Sequence, residues 1–131
     1  MIIGLGTDLV SIPRFARITE RWGKRFFDRV FTESEVEFCM KKTVPTASLA
    51  ARFAAKEAAL KALGAGWSGG ISWHDAEVVS TPKQAPRLRL SGVAKRLAAE
   101  AGVESIHLSL THTDKYASAT VILEGQRNEQ S

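Results

Sequence analysis

The segment that most constrains the fold is an alanine-rich run over residues 51–64, which contains no proline and ends at Gly64. Alanine has the highest helix propensity, and glycine commonly follows the last residue of a helix. The run therefore predicts one long helix, beginning at Pro45 or Thr46. At the helical period, one apolar stripe is formed by Leu49, Phe53, Leu60 and Leu63.

Two charged residues of this helix, Glu57 and Lys61, lie four positions apart on the margin of that stripe. An acid and a base beside an apolar face lie where a helix enters a core or a cleft. A surface ion pair at the edge of the stripe is the alternative, because such pairs are common on helices. The segment by itself leaves both interpretations open.

Residues 2–12 are apolar and β-prone, and Asp8 interrupts them on the side of the strand that carries Gly4 and Gly6. A carboxylate on that side needs a partner, because an unpaired buried charge is costly. The glycines leave room for a ligand or for another backbone. Asp8 therefore either caps a turn, pairs with an arginine, or shares a hard divalent cation with Glu57.

Three motifs carry a resemblance to a known family. They are Gly-Leu-Gly-Thr-Asp-Leu-Val at residues 4–10, Arg-Phe-Ala-Ala-Lys-Glu-Ala-Ala-Leu-Lys-Ala-Leu-Gly at residues 52–64, and Ser-Leu-Thr-His-Thr at residues 109–113, followed by Tyr116 and Ala117. In their order and spacing they resemble the holo-acyl-carrier-protein synthases, the short bacterial 4′-phosphopantetheinyl transferases. The resemblance covers residues 1–123. Many members carry an acid where this chain has Ser11, and a serine where it has Thr111.

The resemblance implies an enzyme that moves 4′-phosphopantetheine from coenzyme A to a serine of apo acyl carrier protein. The serine hydroxyl attacks the β-phosphorus of the coenzyme, and adenosine 3′,5′-bisphosphate leaves. Such chemistry depends on charge neutralisation and alignment. The resemblance further implies a role in fatty acid biosynthesis and a homotrimer with its sites between subunits.

The same resemblance assigns catalytic and binding roles to individual residues. Asp8 and Glu57 are the expected Mg²⁺ ligands, and Lys61 is expected to contact the diphosphate. The serine proton goes to a carboxylate, with Glu57 favoured, or to water. Contacts with coenzyme A are expected from Arg52, Lys61, Gly64, Gly66, Pro86, His112 and Thr113, with Lys41 and Lys42 as further phosphate contacts.

A second functional pattern is a basic helix after the first strand. Its cations recur at intervals of three and four, beside an apolar stripe of Phe15, Ile18, Trp22 and Phe26. The pattern fits a solvated face or a nucleic-acid contact, and the resemblance adds a third reading, docking of the acidic carrier protein. The candidates for that docking contact are Arg14, Arg17, Arg21 and Arg25. Gly23 is a point where this helix could break.

Composition agrees with a small soluble enzyme but does not identify one, and the expected location is the cytoplasm. The chain has 131 residues, a net charge of +4 and one cysteine, Cys39, which suits a reducing compartment and is expected to pack in a helix. No membrane-spanning or signal segment is expected. Two non-enzymatic functions stay open, a nucleic-acid-binding module and a trimeric scaffold for acidic partners. The strands carry few of the aromatic residues that such a module uses, and a scaffold has no need of Asp8 or Glu57.

The remaining segments predict an α+β fold with a largely antiparallel sheet, one long helix and several short ones, in a single domain over residues 1–125. A polar tail follows over residues 126–131. Strands are expected near residues 73–80, 86–91, 104–112 and 116–124. Thr32 and Glu35 form a capping-box pattern, and Ser91 is expected to cap a helix that ends at Gly102.

Overall fold

The long helix predicted from the alanine-rich run is the element against which the rest of the chain packs. In the computed structural model, which describes residues 1–65 and 69–127, this helix (α4) spans Pro45–Leu63. Before it come β1 (Ile2–Ser11), α1 (Ile12–Trp22), α2 (Lys24–Val30) and α3 (Glu33–Met40). After it come β2 (Ala76–Val79), β3 (Arg87–Leu90), α5 (Gly92–Ala101), β4 (Val103–His112) and β5 (Tyr116–Gly125).

All strand pairs among the described residues are antiparallel, which confirms the predicted α+β class. One sheet has the order β1-β5-β4, and β2 and β3 form a separate hairpin. In the three-stranded sheet Asp8 lies opposite Ala119, and Ala119 lies opposite Leu110. The register therefore places Asp8 in the face of the sheet that carries the buried β5 residues.

Helix α4 lies very close to β1, and two glycines permit this approach. A Cβ atom at Gly6 would lie 1.8 Å from the carbonyl oxygen of Ala58, and one at Gly4 would lie 2.0 Å from that of Ala62. Of the two explanations for these glycines, close approach of another backbone is therefore the correct one. The small alanine side chains on α4 allow the same contact.

The prediction that α4 is buried along a single apolar stripe is wrong. Twelve residues of the helix are buried, and they include Ser48, Lys56 and many alanines as well as Leu49 and Leu60. The sheet, α3 and the β2–β3 hairpin all pack against α4. A helix that packs against several elements is buried on more than one side, and the alanine side chains of α4 form the apolar surface on those sides.

Local signals placed most helix ends correctly. Thr32 and Glu35 form the predicted capping box, α4 begins at Pro45, and Gly64 and Gly102 end their helices in the left-handed conformation. Gly23 breaks the basic helix into α1 and α2.

Two local expectations are wrong. Trp73–Asp75 form a 3₁₀ turn, so the strand expected from residue 73 begins only at Ala76. The turn forms because Ser72 and Asp75 cap each other's backbone. Ser91 precedes α5, but its side chain makes no capping hydrogen bond.

The outer face of the three-stranded sheet carries exposed apolar side chains. Leu5 is 62% exposed and Leu9 is 65% exposed, and both point away from α4. They lie on one face of β1 with Thr7 between them, and exposed apolar side chains that recur along a strand in this way suit protein association. Within residues 1–65 and 69–127, no helix is long and apolar enough to cross a bilayer.

Candidate active site

Asp8 and Glu57, which are distant in the sequence, line the same surface cavity. This cavity, the carboxylate cavity, has a volume of about 430 Å³ and is bordered by β1, α1 and α4. Phe15 and Phe53 form apolar walls, and Arg14 stands at the border. The close contact between α4 and β1 places Asp8 and Glu57 at the border of one cavity.

Lys61 is bonded to the first of these carboxylates. Its Nζ donates to Asp8 Oδ1 at 3.0 Å and to the carbonyl oxygen of Thr7 at 3.0 Å. The Asp8 side chain is only 18% exposed, whereas that of Lys61 is 53% exposed. The carboxylate is thus held inside the cavity, and the ammonium group reaches it from the solvent side.

The donor set of the carboxylate cavity suits a hard divalent cation. Mg²⁺ keeps several water ligands and takes one or two protein carboxylates together with phosphate oxygens. Two carboxylates facing an open cavity match that requirement. Over the described ranges, no group of three or more His, Cys, Asp or Glu residues gathers as a metal site. Asp8 and Glu57 are thus the residues of this cavity that would hold a divalent cation, with water or phosphate oxygens completing its coordination.

A second cavity, of about 480 Å³, is lined by four of the predicted coenzyme A contacts. This arginine cavity is lined by Arg52, Lys42, Pro86 and His112, together with the Phe38 ring. The chain thus brings together residues from α3, α4, β4 and the β2–β3 turn. Two cations beside a proline and a histidine form a surface that suits a phosphate and a planar ring.

Arg52 is held in place on this cavity by hydrogen bonds. Its Nη1 donates to Ser48 Oγ at 3.1 Å, and its Nη2 donates to Ser80 Oγ at 3.1 Å. The guanidinium carbon lies 5.1 Å from the centre of the Phe38 ring, and Lys42 Nζ lies 4.4 Å from the same ring. An arginine anchored in this way loses little freedom when it binds an anion.

The remaining predicted residues take other positions. Gly64 is the left-handed cap of α4, and Gly66 lies outside the described residues. The Thr113 hydroxyl accepts from the N–H groups of Lys115 and Tyr116 and so orders the β4–β5 turn. Lys41 borders a neighbouring cavity. Ser11 caps α1 by accepting from Arg14 N, so it has a polar role.

The carboxylate and arginine cavities are separate within one chain. None of the described residues that border one cavity also borders the other. The predicted metal ligands thus line one cavity, and four of the predicted coenzyme A contacts line the other.

The predicted basic surface is exposed on α1 and α2. Arg14, Arg17 and Arg21 lie on α1, while Arg25 lies beyond the break at Gly23. A shallow groove of about 540 Å³ runs beside them, lined by Ile18, Trp22, Arg25, Phe26 and Arg29. The guanidinium group of Arg21 lies 5.2 Å from the centre of the Trp22 ring. The surface thus combines cations with exposed apolar groups.

The chain is similar to known proteins in sequence and in fold. The profile of the 4′-phosphopantetheinyl transferase superfamily matches residues 4–121. The chain belongs to this superfamily. A curated relative, the holo-[acyl-carrier-protein] synthase of Koribacter versatilis, is 46% identical over 124 residues, covering 95% of this chain and 99% of the relative.

Solved structures agree with this membership. The holo-[acyl-carrier-protein] synthase of Neisseria meningitidis matches with a TM-score of 0.85 and 31% identity, covering 95% of this chain and 99% of that one. The Helicobacter pylori synthase in complex with coenzyme A matches with a TM-score of 0.79 and 31% identity, covering 92% and 99%. The family and the enzyme class inferred from the three motifs are confirmed.

Sequence reasoning missed a buried ion pair next to Glu57. Lys56 Nζ lies 2.8 Å from Glu35 Oε1, and both side chains are fully buried. Burial lowers the pKa of the Lys56 ammonium from its ordinary value, and the Glu35 carboxylate acts in the opposite direction. The signal in the sequence is a lysine within an alanine-rich helix, because a lysine that is buried in such a helix requires an acidic partner. Its partner, Glu35, is 21 positions away and also belongs to the capping box of α3.

Proposed function

We propose that this protein transfers the 4′-phosphopantetheine group from coenzyme A to a serine of apo acyl carrier protein in a Mg²⁺-dependent reaction. Adenosine 3′,5′-bisphosphate is the second product, and the holo carrier serves fatty acid biosynthesis in the cytoplasm. The observation that carries the proposal is the convergence of Asp8 and Glu57 on one cavity, with Lys61 bonded to Asp8.

In the proposed reaction the residues of the carboxylate cavity align the reacting groups. Asp8 and Glu57 hold Mg²⁺, which when bound neutralises charge on the diphosphate of coenzyme A. Lys61 donates to the same diphosphate and offsets the charge that builds on the leaving group. The serine proton goes to the Glu57 carboxylate or to water. Phe15 and Phe53 exclude water from the cavity walls.

The nucleotide part of coenzyme A binds in the arginine cavity. Arg52 and Lys42 pair with its phosphate, Pro86 packs on the adenine, and His112 lies at the border of the same cavity. Each group is on a different element, so the cavity recognises the nucleotide by its shape as well as its charge.

The active enzyme in this proposal is a homotrimer. The two cavities are separate within one chain, and coenzyme A would contact the carboxylate cavity of one protomer and the arginine cavity of its neighbour. The exposed apolar side chains of Leu5 and Leu9 support association through the outer sheet face.

The acidic carrier protein docks on the basic surface of α1 and α2. Arg14 and Ile18 of α1 border the carboxylate cavity, so a carrier docked on this helix presents its serine close to the diphosphate. Opposite charge steers the encounter and sets the orientation. Neither nucleic acid nor a membrane is part of the proposed function.

The test is to incubate the protein with apo carrier protein, coenzyme A and Mg²⁺ and to measure the mass of the carrier. We expect a gain of one phosphopantetheine that is lost when a chelator is added. Asp8→Ala and Glu57→Ala are each expected to lower turnover at least about 100-fold with the fold intact. Glu100→Ala, which changes an exposed carboxylate on α5, is the control.

An unchanged carrier mass would contradict the proposal. Salt-sensitive nucleic-acid binding without a mass change would favour the nucleic-acid-binding module instead. Near-normal turnover of either alanine variant would contradict the assignment of that carboxylate as a metal ligand.

A further inference from the structure

The buried ion pair between Lys56 and Glu35 joins four parts of the fold. The ammonium group has three partners: Glu35 Oε1 at 2.8 Å, the carbonyl oxygen of Ala76 at 2.8 Å and the carbonyl oxygen of Trp73 at 3.2 Å. The carboxylate also accepts from Thr32 N and from Val78 N, each at 2.8 Å. Together these contacts, here termed the Lys56 clamp, connect α4, the start of α3, the 3₁₀ turn and β2.

Stability alone is a weak reason for such a pair. Both charges lose their hydration when they are buried, and a well-packed apolar pair of similar volume is commonly as stable or more stable. A buried ion pair with every donor satisfied does, however, require one geometry, since any shift leaves a charge without its partner. The Lys56 clamp is therefore suited to fixing the rotation of α4 about its own axis and the position of α4 along that axis.

The position of Glu57 depends on that rotation. Successive residues of a helix are about 100° apart, so Lys56 and Ala58 point to nearly opposite sides of α4 and Glu57 points between them. Ala58 lies against Gly6 of β1, whereas Lys56 is held by α3 and β2. The helix is thus held on two opposite sides, and the residue between them faces the carboxylate cavity.

A second connection leads from the Lys56 clamp to the wall of the same cavity. The carbonyl oxygen of Trp73 accepts from Lys56, and the Trp73 ring stacks on Phe53 with a centroid separation of 5.3 Å and an interplanar angle of 19°. Phe53 lines the carboxylate cavity beside Glu57. The clamp therefore contacts the elements that place both the carboxylate and its apolar wall.

We propose that Lys56 and Glu35 are positioning residues that aim the Glu57 carboxylate at the cation shared with Asp8. The inference rests on the proposed function of Asp8 and Glu57. Neither residue of the clamp touches the substrate or the cation. Their effect reaches the reaction through the rotation of α4 and the placement of Phe53.

The test separates positioning from stability with the double variant Glu35→Gln/Lys56→Met, which removes both charges and keeps the side-chain lengths. The glutamine amide at position 35 can accept from only one of the N–H groups of Thr32 and Val78, so the midpoint of thermal unfolding is expected to fall. Metal binding and activity are therefore compared at a temperature at which circular dichroism shows both the variant and the wild type folded. Binding of Mn²⁺ in the presence of coenzyme A, followed by electron paramagnetic resonance, is expected to weaken at least tenfold. In the carrier assay kcat is expected to fall at least tenfold, while the KM for the carrier changes less than twofold.

A matched control is Arg96→Met/Glu100→Gln, which removes an exposed ion pair on α5. It is expected to leave Mn²⁺ binding and kcat unchanged. Glu35→Asp, which keeps both charges but shortens the carboxylate arm, is expected to fold and to weaken Mn²⁺ binding about threefold to tenfold.

A folded double variant with wild-type Mn²⁺ binding and kcat would overturn the inference while the proposed function stands. If the double variant does not fold, Glu35→Asp decides the question, and wild-type Mn²⁺ binding in that variant overturns the inference. Wild-type protein that shows no Asp8-dependent Mn²⁺ binding and does not modify the carrier would overturn the proposed function, and this inference with it.

Discussion

The Lys61 ammonium is hydrogen-bonded to the Asp8 carboxylate, with Nζ 3.0 Å from Oδ1, across the junction of α4 and β1. A cation bound to either oxygen of Asp8 would lie close to the Lys61 ammonium and would be repelled by it. In the proposed function Lys61 therefore competes with the metal for Asp8 until a diphosphate offers it other oxygen atoms. Metal binding and diphosphate binding are expected to favour each other for this reason.

Replacing Lys61 by methionine is expected to tighten Mn²⁺ binding to the protein alone about threefold to tenfold, because a nearby positive charge is removed. In the carrier assay the same variant is expected to lose at least about 100-fold in kcat, because the diphosphate loses its ammonium partner. Paramagnetic resonance titration without coenzyme A measures the first effect. Lys95→Met, an exposed change on α5, is the control, and weaker Mn²⁺ binding in Lys61→Met would contradict the competition.

Arg52 offers a prediction about nucleotide recognition. It is anchored by Ser48 and Ser80 and lines the arginine cavity. A hydrogen bond between charged groups contributes about 1.5–3 kcal/mol, so Arg52→Met is expected to raise the KM for coenzyme A about 10- to 100-fold. The KM for 3′-dephospho-coenzyme A is expected to change much less. An equal rise for both substrates would mean that Arg52 serves another part of the molecule or only the fold.

The basic surface predicts a separable effect on the carrier protein. Charge reversal of Arg14 and Arg21 together is expected to raise the KM for the carrier at least about tenfold and to weaken coenzyme A binding much less. Titration calorimetry with coenzyme A and carrier kinetics at several salt concentrations measure the two effects. Lys95→Glu/Arg96→Glu applies the same charge change to α5. A similar rise of the KM for the carrier in both double variants would show that the total charge of the protein, and not the surface of α1, controls carrier binding.

The contact between β1 and α4 predicts a large loss of stability at Gly6. A Cβ atom there would lie 1.8 Å from the Ala58 carbonyl oxygen, so Gly6→Ala requires the helix to move away from the strand. We expect a loss of about 3 kcal/mol or more in the free energy of unfolding, measured with urea. Gly64→Ala meets nothing within 4 Å and carries only the strain of a left-handed residue, about 1 kcal/mol. Equal losses of unfolding free energy in Gly6→Ala and Gly64→Ala would show that α4 can move away from β1 at little cost.

Local features of the fold could be predicted because their causes are local. The capping box of Thr32 and Glu35, the start of α4 at Pro45 and its end at Gly64 each depend on a few neighbouring residues. The 3₁₀ turn at Trp73–Asp75 is also local, since Ser72 and Asp75 cap each other's backbone, but the predicted strand from residue 73 overlaps it.

The sequence by itself determined the family, the helix ends and the list of candidate site residues, because motif spacing, capping and propensity act over a few positions. Only the tertiary structure decided which of those residues meet. It pairs Asp8 with Lys61 and Lys56 with Glu35, and both pairs join residues that are distant in the sequence. It also places the carboxylate and arginine cavities apart from each other. Such contacts depend on how closely α4 approaches the sheet and on its rotation, which follow from packing and burial across the whole chain.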